Sequence, residues 1–411
     1  MPPMKPFPES SRPRELFRRT SDSVLIAGGG LAAQRVAETL RRRGHDGPIR
    51  MLCAEPVAPY DRPPLSKELL AGDGGHEQVA LRPASWHAEH DVELLIGEAA
   101  VSLDPATRHV VTTGGRRLDA AHVVVATGSA PRTLPLLDGY SNVHTLRTLQ
   151  DAAALRAAIA PGTHLAVIGA GFIGQEVAAT ARAAGARATL IEALPVPLMR
   201  LLGPRLGAWF AGLHRENGVD VALDVSVAAV HGDRRVEALE LADGRVVRCD
   251  AVLVGVGVAA TTGWLGGTPL GGGPIEVDAL GRTVVPGVYA AGDVAAAPAP
   301  GGGHERCEHW ESAVRGAAAA AHGILGLDPP PPTVPGFWSD QYGLRIQLVG
   351  RPAGADALDI DGALGDRSFA ARFLHRGRPV AALLVDRVAE LAHYRRLIQA
   401  GTQIETEREA A

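Results

Sequence analysis

Thiols are scarce in this 411-residue chain: its three cysteines, Cys53, Cys249 and Cys307, stand far apart and form no CxxC or other paired spacing. That excludes a disulfide framework and a thiolate metal site, so any redox chemistry has to come from a bound cofactor. Aromatic residues are also few, at 4%. No apolar run reaches the roughly 18 residues of a membrane span, and the N-terminus lacks the short apolar core of a signal peptide, so a cytoplasmic location is expected. The formal net charge of -4 gives no general attraction to nucleic acid or anionic lipid. The fifteen histidines show no HExxH or paired ligand spacing, so no protein-bound metal is expected.

Glycine, by contrast, is plentiful at 49 residues, and its placement carries the reading. The chain is too long for one hydrophobic core. Residues 1–21 mix proline, serine and charge without apolar periodicity and read as a flexible tail. From Ser23 onward, short apolar runs alternate with amphipathic stretches, the signature of βαβ units on a parallel sheet. The unit occurs twice, which points to two dinucleotides rather than one.

In VLIAGGGLAA, Gly28, Gly30 and Ala33 occupy the GxGxxG/A positions after a strand and at a helix start. The first glycine makes the tight turn, the second lets backbone amides approach a pyrophosphate, and the third small residue lets helix pack on strand. Glu55 ends the next strand and is placed to accept hydrogen bonds from a ribose. The second copy, VIGAGFIGQE, places Gly169, Gly171 and Gly174 the same way, with Glu192 ending the following strand. An acid there favours the free 2'-hydroxyl of NAD over the 2'-phosphate of NADP, and Ala193 and Leu194 supply no arginine to offset it.

Further strands are expected at residues 94–97, 122–126, 251–256 and 287–291. A proline-rich linker at 328–335 follows, because four consecutive prolines neither continue a helix nor donate to a ladder. A small third domain then has strands expected at 345–349, 368–374 and 380–385 and a helix near 387–400, before a polar tail. The run Arg41, Arg42 and Arg43 reads either as a patch that steers an acidic partner or as compensation of a helix dipole.

Three further segments sharpen this picture: PYDRPPLSK at 59–67, TVVPGVYAAGDVA at 283–295, and RCEHWESA at 306–313 together with FWSDQYGLRIQ at 337–347. With the two glycine motifs, in this order, the chain from about residue 23 to about residue 401 resembles the FAD-dependent ferredoxin reductases of bacterial oxygenase systems. These belong to the pyridine nucleotide-disulfide oxidoreductase superfamily. The resemblance implies an α/β fold of two Rossmann-like domains and a small C-terminal α+β domain. FAD would be held by residues 22–145 and 258–326, NADH by 146–257, and the third domain would span 327–401, with 402–411 a tail.

Carried over residue by residue, the resemblance puts Lys67 and Glu176 beside the flavin as an ion pair, a cation there suiting an acceptor that gains negative charge. It gives Asp293 the ribityl chain, brings the Gly292 backbone close to the flavin, and assigns Arg147 and Arg132 to FAD phosphates or the flavin edge. Trp310 and Trp338 would shield the isoalloxazine and leave a short path out. Ala32, Arg62, Ala100, Thr127, Gly128, Ile173 and Gly257 complete the residues expected to line the cofactors. Cys307 lies near Trp310 in sequence, and His309 beside it reads as a packing or partner-surface residue. Related peroxidases and disulfide reductases carry a redox cysteine in the segment that here reads PPLSK, and Ser66 and Lys67 stand there instead.

The function implied is transfer of hydride from NADH to FAD and of single electrons onward to a 2Fe-2S ferredoxin, since nicotinamide gives two electrons together and an iron–sulfur cluster accepts one. Two alternatives stay open at this point. One is an NADH-sensing flavoprotein like the apoptosis-inducing factors, and the other is a diaphorase without a dedicated partner. A monomer or a weak homodimer is expected.

Overall fold

The computed structural model describes residues 22–72, 74–299 and 301–401, so the expected tails 1–21 and 402–411 lie outside the described residues. The first sheet has five parallel strands in the order Val288–Ala290, His122–Val125, Val24–Ala27, Ile49–Cys53, Val92–Ile96. Val24–Ala27 is buried along its whole length, as a central parallel strand covered on both faces has to be. On one face lie the helices Leu31–Arg42 and Trp310–Leu325, packed through Ala33, Ala37, Ala313, Ala317 and Ala320. Small side chains at these positions let the two helices and the sheet share one core. The other face is closed by an antiparallel meander of Ala100–Asp104, His109–Thr112 and Arg117–Asp119.

The strand Val288–Ala290 reaches this sheet only after the chain has built the whole second module. Its parallel pairing with His122–Val125 delivers the turn at 291–293 to the carboxyl ends of the strands, beside the first glycine loop. That end of an open parallel sheet is where ligands bind.

The second sheet repeats the pattern: Asp220–Ala222, Arg187–Ile191, His164–Ile168, Ala251–Val254 and Val143–His144, all parallel. Residues 143–144, which the sequence reading placed just before the domain boundary, pair here with Val252 and Leu253. The two modules are further tied by Ser129–Pro131, antiparallel to Val258–Ala260.

The third module is a five-stranded antiparallel sheet in the order Gly336–Gln341, Leu344–Gly350, Arg378–Val385, Ser368–His375, Ala357–Ala363, with the helix Leu391–Ala400 behind it. The first and last of these strands were not anticipated. Both are edge strands with mixed composition, FWSDQ and ALDIDGA, so neither shows the apolar run of a central strand. The turn at Tyr342 and Gly343 has φ of 53° and 78°, the left-handed pair that joins two strands in a tight hairpin. Among the described residues no helix is long and apolar enough to cross a membrane.

Candidate active site

The two glycine loops divide their labour in the same way. At Gly28 (φ 145°) an added Cβ would lie 2.1 Å from the Ala126 carbonyl oxygen, and at Gly169 (φ 102°) 2.4 Å from that of Gly255. Only glycine fits either place. At Gly30 and Gly171 an added Cβ would meet nothing within 4 Å, and both residues have ordinary extended backbone. Their missing side chains leave room in front of helices Leu31–Arg42 and Phe172–Ala183. Neither helix has a side-chain cap or an acidic residue in its first turn, so the backbone N–H groups there are free to hold an anion. At the third position a Cβ on Gly174 would lie 2.1 Å from the Gly169 carbonyl, whereas Ala33 is accommodated, fully buried, in the first loop. Both loops therefore fit a dinucleotide pyrophosphate.

The acids at the ends of the two second strands are already engaged. Glu192 Oε2 accepts the Ala170 N–H at 2.7 Å and Oε1 the Leu194 N–H at 2.9 Å, so its carboxylate is fixed against the second glycine loop. Glu55 accepts the Tyr60 hydroxyl at 2.6 Å and the Arg62 guanidinium at 2.9 Å. Arg62 in turn donates to the Arg147 carbonyl. Arg147 crosses to Asp293 at 2.8 Å, and Ser129 donates to the same carboxylate oxygen at 2.9 Å. Gly292 (φ 79°) comes so near the first helix that a Cβ would lie 2.8 Å from that of Ala32. Gly128 is the near neighbour of the Arg147 guanidinium, and Thr127 is held by a 2.7 Å hydrogen bond to the Thr261 carbonyl. Ala32, Gly128, Arg147, Gly292 and Asp293 are thus brought together at the mouth of the first sheet.

Residues 60–67 form the hub of the site. Lys67 Nζ lies 2.8 Å from Glu176 Oε2, and the side chains are 13% and 4% exposed, so this is a buried ion pair linking the first module to the helix of the second glycine loop. Ser66 donates to the same oxygen at 2.5 Å, and Ser339 of the third module donates to Oε1 at 2.6 Å. Asp61 accepts the Trp310 indole N–H at 2.9 Å. Burial pushes the Asp61 carboxyl up from its ordinary value, a trend opposed by the Trp310 bond and the nearby Arg35. Trp310 and Trp338 meet edge to face, 6.2 Å between centroids, with Arg35 over the first ring and Arg345 over the second. Sequence reasoning found Lys67, Glu176 and both tryptophans, but missed Asp61, Ser66 and Ser339. All three sit inside the segments that carry the resemblance, Asp61 and Ser66 in 59–67 and Ser339 in 337–347, and had that signal.

Other expected residues stand apart from these clusters. Arg132 is exposed and its side chain reaches only the Val258 carbonyl at 3.3 Å, although its backbone N–H is bonded to the Gly257 carbonyl. Ala100 starts the meander behind the first sheet. Ile173, by contrast, lies inside the second glycine loop, between Gly171 and Gly174, and is 46% exposed. His309 is a packing residue, stacked on Phe337 at 4.4 Å. Arg41 donates to the carbonyls of His45, Gly47, His90 and Asp91, so it clasps the end of its helix rather than facing a partner. Burial pushes the Cys53 and Cys249 thiols up to about 12, and raises that of Cys307, which accepts the Ser312 hydroxyl at 3.0 Å. None of them is an activated thiolate. Among the described residues no group of three or more potential ligands is arranged for a metal.

This arrangement of two nucleotide loops converging on a lysine–glutamate pair has a counterpart in sequence: residues 22–317 match the family model described as pyridine nucleotide-disulphide oxidoreductase. The chain belongs to that family. Residues 336–411 match a second model, the reductase C-terminal domain. The 5,5'-dehydrodivanillate O-demethylase ferredoxin reductase subunit of Sphingobium sp. is 36% identical, over 93% of this chain and 95% of its own. The benzene 1,2-dioxygenase system ferredoxin–NAD(+) reductase subunit of Pseudomonas putida is 37% identical, over 94% and 95%. Among solved structures, the covalent putidaredoxin reductase–putidaredoxin complex superposes with a TM-score of 0.90 at 32% identity, covering 93% of this chain and 94% of the other. Membership of this oxidoreductase family carries with it FAD and NAD(H) as the cofactors.

Proposed function

We propose that this protein is an NADH-dependent, FAD-containing ferredoxin reductase that delivers single electrons to a 2Fe-2S ferredoxin serving an oxygenase. The observation that carries the reading is the buried Lys67–Glu176 pair, which joins the module of one dinucleotide loop to the module of the other. Bound FAD supplies the conversion of a two-electron hydride donor into a one-electron source. The residues around it hold and orient. The open space at Gly30 and the free helix N-terminus would receive the FAD pyrophosphate, and the nearby Arg147–Asp293 pair would help to hold the cofactor. Gly171 receives the nicotinamide dinucleotide, and Glu192 at the far edge selects NADH by repelling a 2'-phosphate. Lys67 presents a fixed cation where negative charge grows, and Glu176 keeps that cation in place.

Electrons have to leave to an external acceptor, because each of the three thiols is protonated and buried or half-buried. The Trp310–Trp338 pair, with Arg35 (paired with Glu38) over the first ring and Arg345 (paired with Asp340) over the second, offers an apolar exit toward an external acceptor. The names of the relatives, ferredoxin reductase components of oxygenase systems, support the same acceptor class.

The test is direct. Purified protein should be yellow, bleach with NADH at least about tenfold faster than with NADPH, the scale of one like-charge contact, and reduce a 2Fe-2S ferredoxin at rates that fall with salt. Glu192→Ala combined with Ala193→Arg should narrow the coenzyme preference. A colourless protein that takes up no added FAD refutes the proposal, and equal rates with both coenzymes refute the role of Glu192.

A further inference from the structure

The buried carboxylate of Glu176 is completed from a part of the chain that neither glycine loop belongs to. Glu176 is 3% exposed, and its Oε2 is taken by Ser66 and Lys67. Its other oxygen accepts the hydroxyl of Ser339, which is itself fully buried, at 2.6 Å. Gln341 Nε2 donates to Ser339 Oγ at 3.1 Å. A serine hydroxyl has one proton, and with an amide donor on its acceptor side that proton is directed at Glu176.

The element that presents Ser339 is stiff. Gly336–Gln341 is hydrogen-bonded along its length to Leu344–Gly350, with Ser339 opposite Ile346, and Ile346 is in turn opposite Val385 of the next strand. Alternation along a strand sends successive side chains to opposite faces. Phe337, Ser339 and Gln341 therefore share one face, and Phe337 meets Phe172 of the second module edge to face at 4.6 Å. Trp338, on the other face, meets Trp310. A second tie follows at the hairpin turn. Tyr342 donates its hydroxyl to His214 Nδ1 at 2.7 Å, His214 Nε2–H reaches Gln175 Oε1 at 3.1 Å, and Gln175 Nε2 donates to the Ala170 carbonyl of the glycine loop at 3.0 Å.

We propose, resting on the function given above, that the third module is part of the reducing machinery: Ser339 is a positioning residue that aims Glu176, and through it the Lys67 ammonium, at the flavin. Ser339 touches no cofactor in this scheme. It removes the freedom of a buried carboxylate whose second oxygen would otherwise have no donor, and with it the freedom of the ammonium. A fixed charge stabilises a developing one better than a mobile charge does.

The experiment is rapid-mixing reduction of the FAD-loaded full chain by NADH, comparing wild type, Ser339→Ala and the near-isosteric Ser339→Cys, with flavin content and circular dichroism measured on each. The expected result is a limiting rate of flavin bleaching that falls in the order Ser, Cys, Ala. The alanine variant should be slowed by roughly tenfold or more, the scale of one hydrogen bond to a buried charge, with the NADH dissociation constant unchanged. If Ser339→Ala does not fold, the cysteine variant alone decides by the same split. An unchanged limiting rate, a loss confined to NADH affinity, or failure of both variants to hold FAD overturns the inference and leaves Ser339 a packing residue. Failure of the functional reading is separate, because it would appear in the wild type as no flavin or no bleaching by NADH.

Discussion

Replacing Lys67 by methionine keeps most of the aliphatic stem and removes the charge, so it isolates what the ammonium does for Glu176. With side chains only 13% and 4% exposed, solvent screens this pair little. Breaking a buried pair by deleting one partner costs about 3–5 kcal/mol, because the remaining charge is left without compensation. Here Ser66 and Ser339 still donate to the carboxylate, so the lower end, about 3 kcal/mol, is expected. The double variant Lys67→Met/Glu176→Gln removes both charges, and the glutamine oxygen still accepts from a serine. It should return to within about 1 kcal/mol of wild type, since replacing a whole buried pair is close to neutral. The assay is urea denaturation of wild type and of both variants, followed by circular dichroism and by flavin release. Both variants should bleach slowly with NADH, the double no faster than the single, because the cation is absent in each. A single variant that loses less than about 1 kcal/mol, or a double variant less stable than the single, would refute the argument that Glu176 depends on Lys67 for compensation.

Three further outcomes follow from the structure. Gly30→Ala should fold with stability within about 1 kcal/mol of wild type yet lose FAD, read as the flavin-to-protein absorbance ratio, because its Cβ enters open space before the helix. Gly28→Ala should instead fail to accumulate as folded protein, having both a left-handed φ of 145° and a carbonyl 2.1 Å away. His214 is fully buried and burial pushes its ring down to about 4 from 6.5, so the folded chain holds it neutral where the unfolded chain protonates it. The unfolded state binds the extra proton between pH 6.5 and about 4, so stability falls as pH falls through that window, by about 3 kcal/mol in all. His214→Gln should flatten that part of the stability–pH curve, and an unchanged slope in urea titrations at pH 4.5 and 7 would remove His214 as its source.

The sequence alone determined the parts of this protein that depend on local geometry. A glycine loop needs its residues at fixed spacing after a strand and before a helix, so both loops, with Gly28, Gly30, Gly169, Gly171 and Gly174, were legible from one segment each. The scarcity of paired thiols was equally plain, and it turned the reading from disulfide chemistry to export of electrons. The Lys67–Glu176 pair became legible only through resemblance, since no periodicity links residues 109 positions apart.

What the tertiary structure decided was which side chains satisfy which charges. Glu55, expected at a ribose, has its oxygens taken by Tyr60 and Arg62. Arg41, one of three arginines open to a partner reading, closes the end of its own helix by binding four carbonyls. The edge strand carrying Ser339 has a mixed composition that hid it, and its hydroxyl meets Glu176 across 163 positions of chain. Buried polar groups must find partners wherever the fold brings them, and that matching is a property of three-dimensional packing which a one-dimensional pattern does not contain.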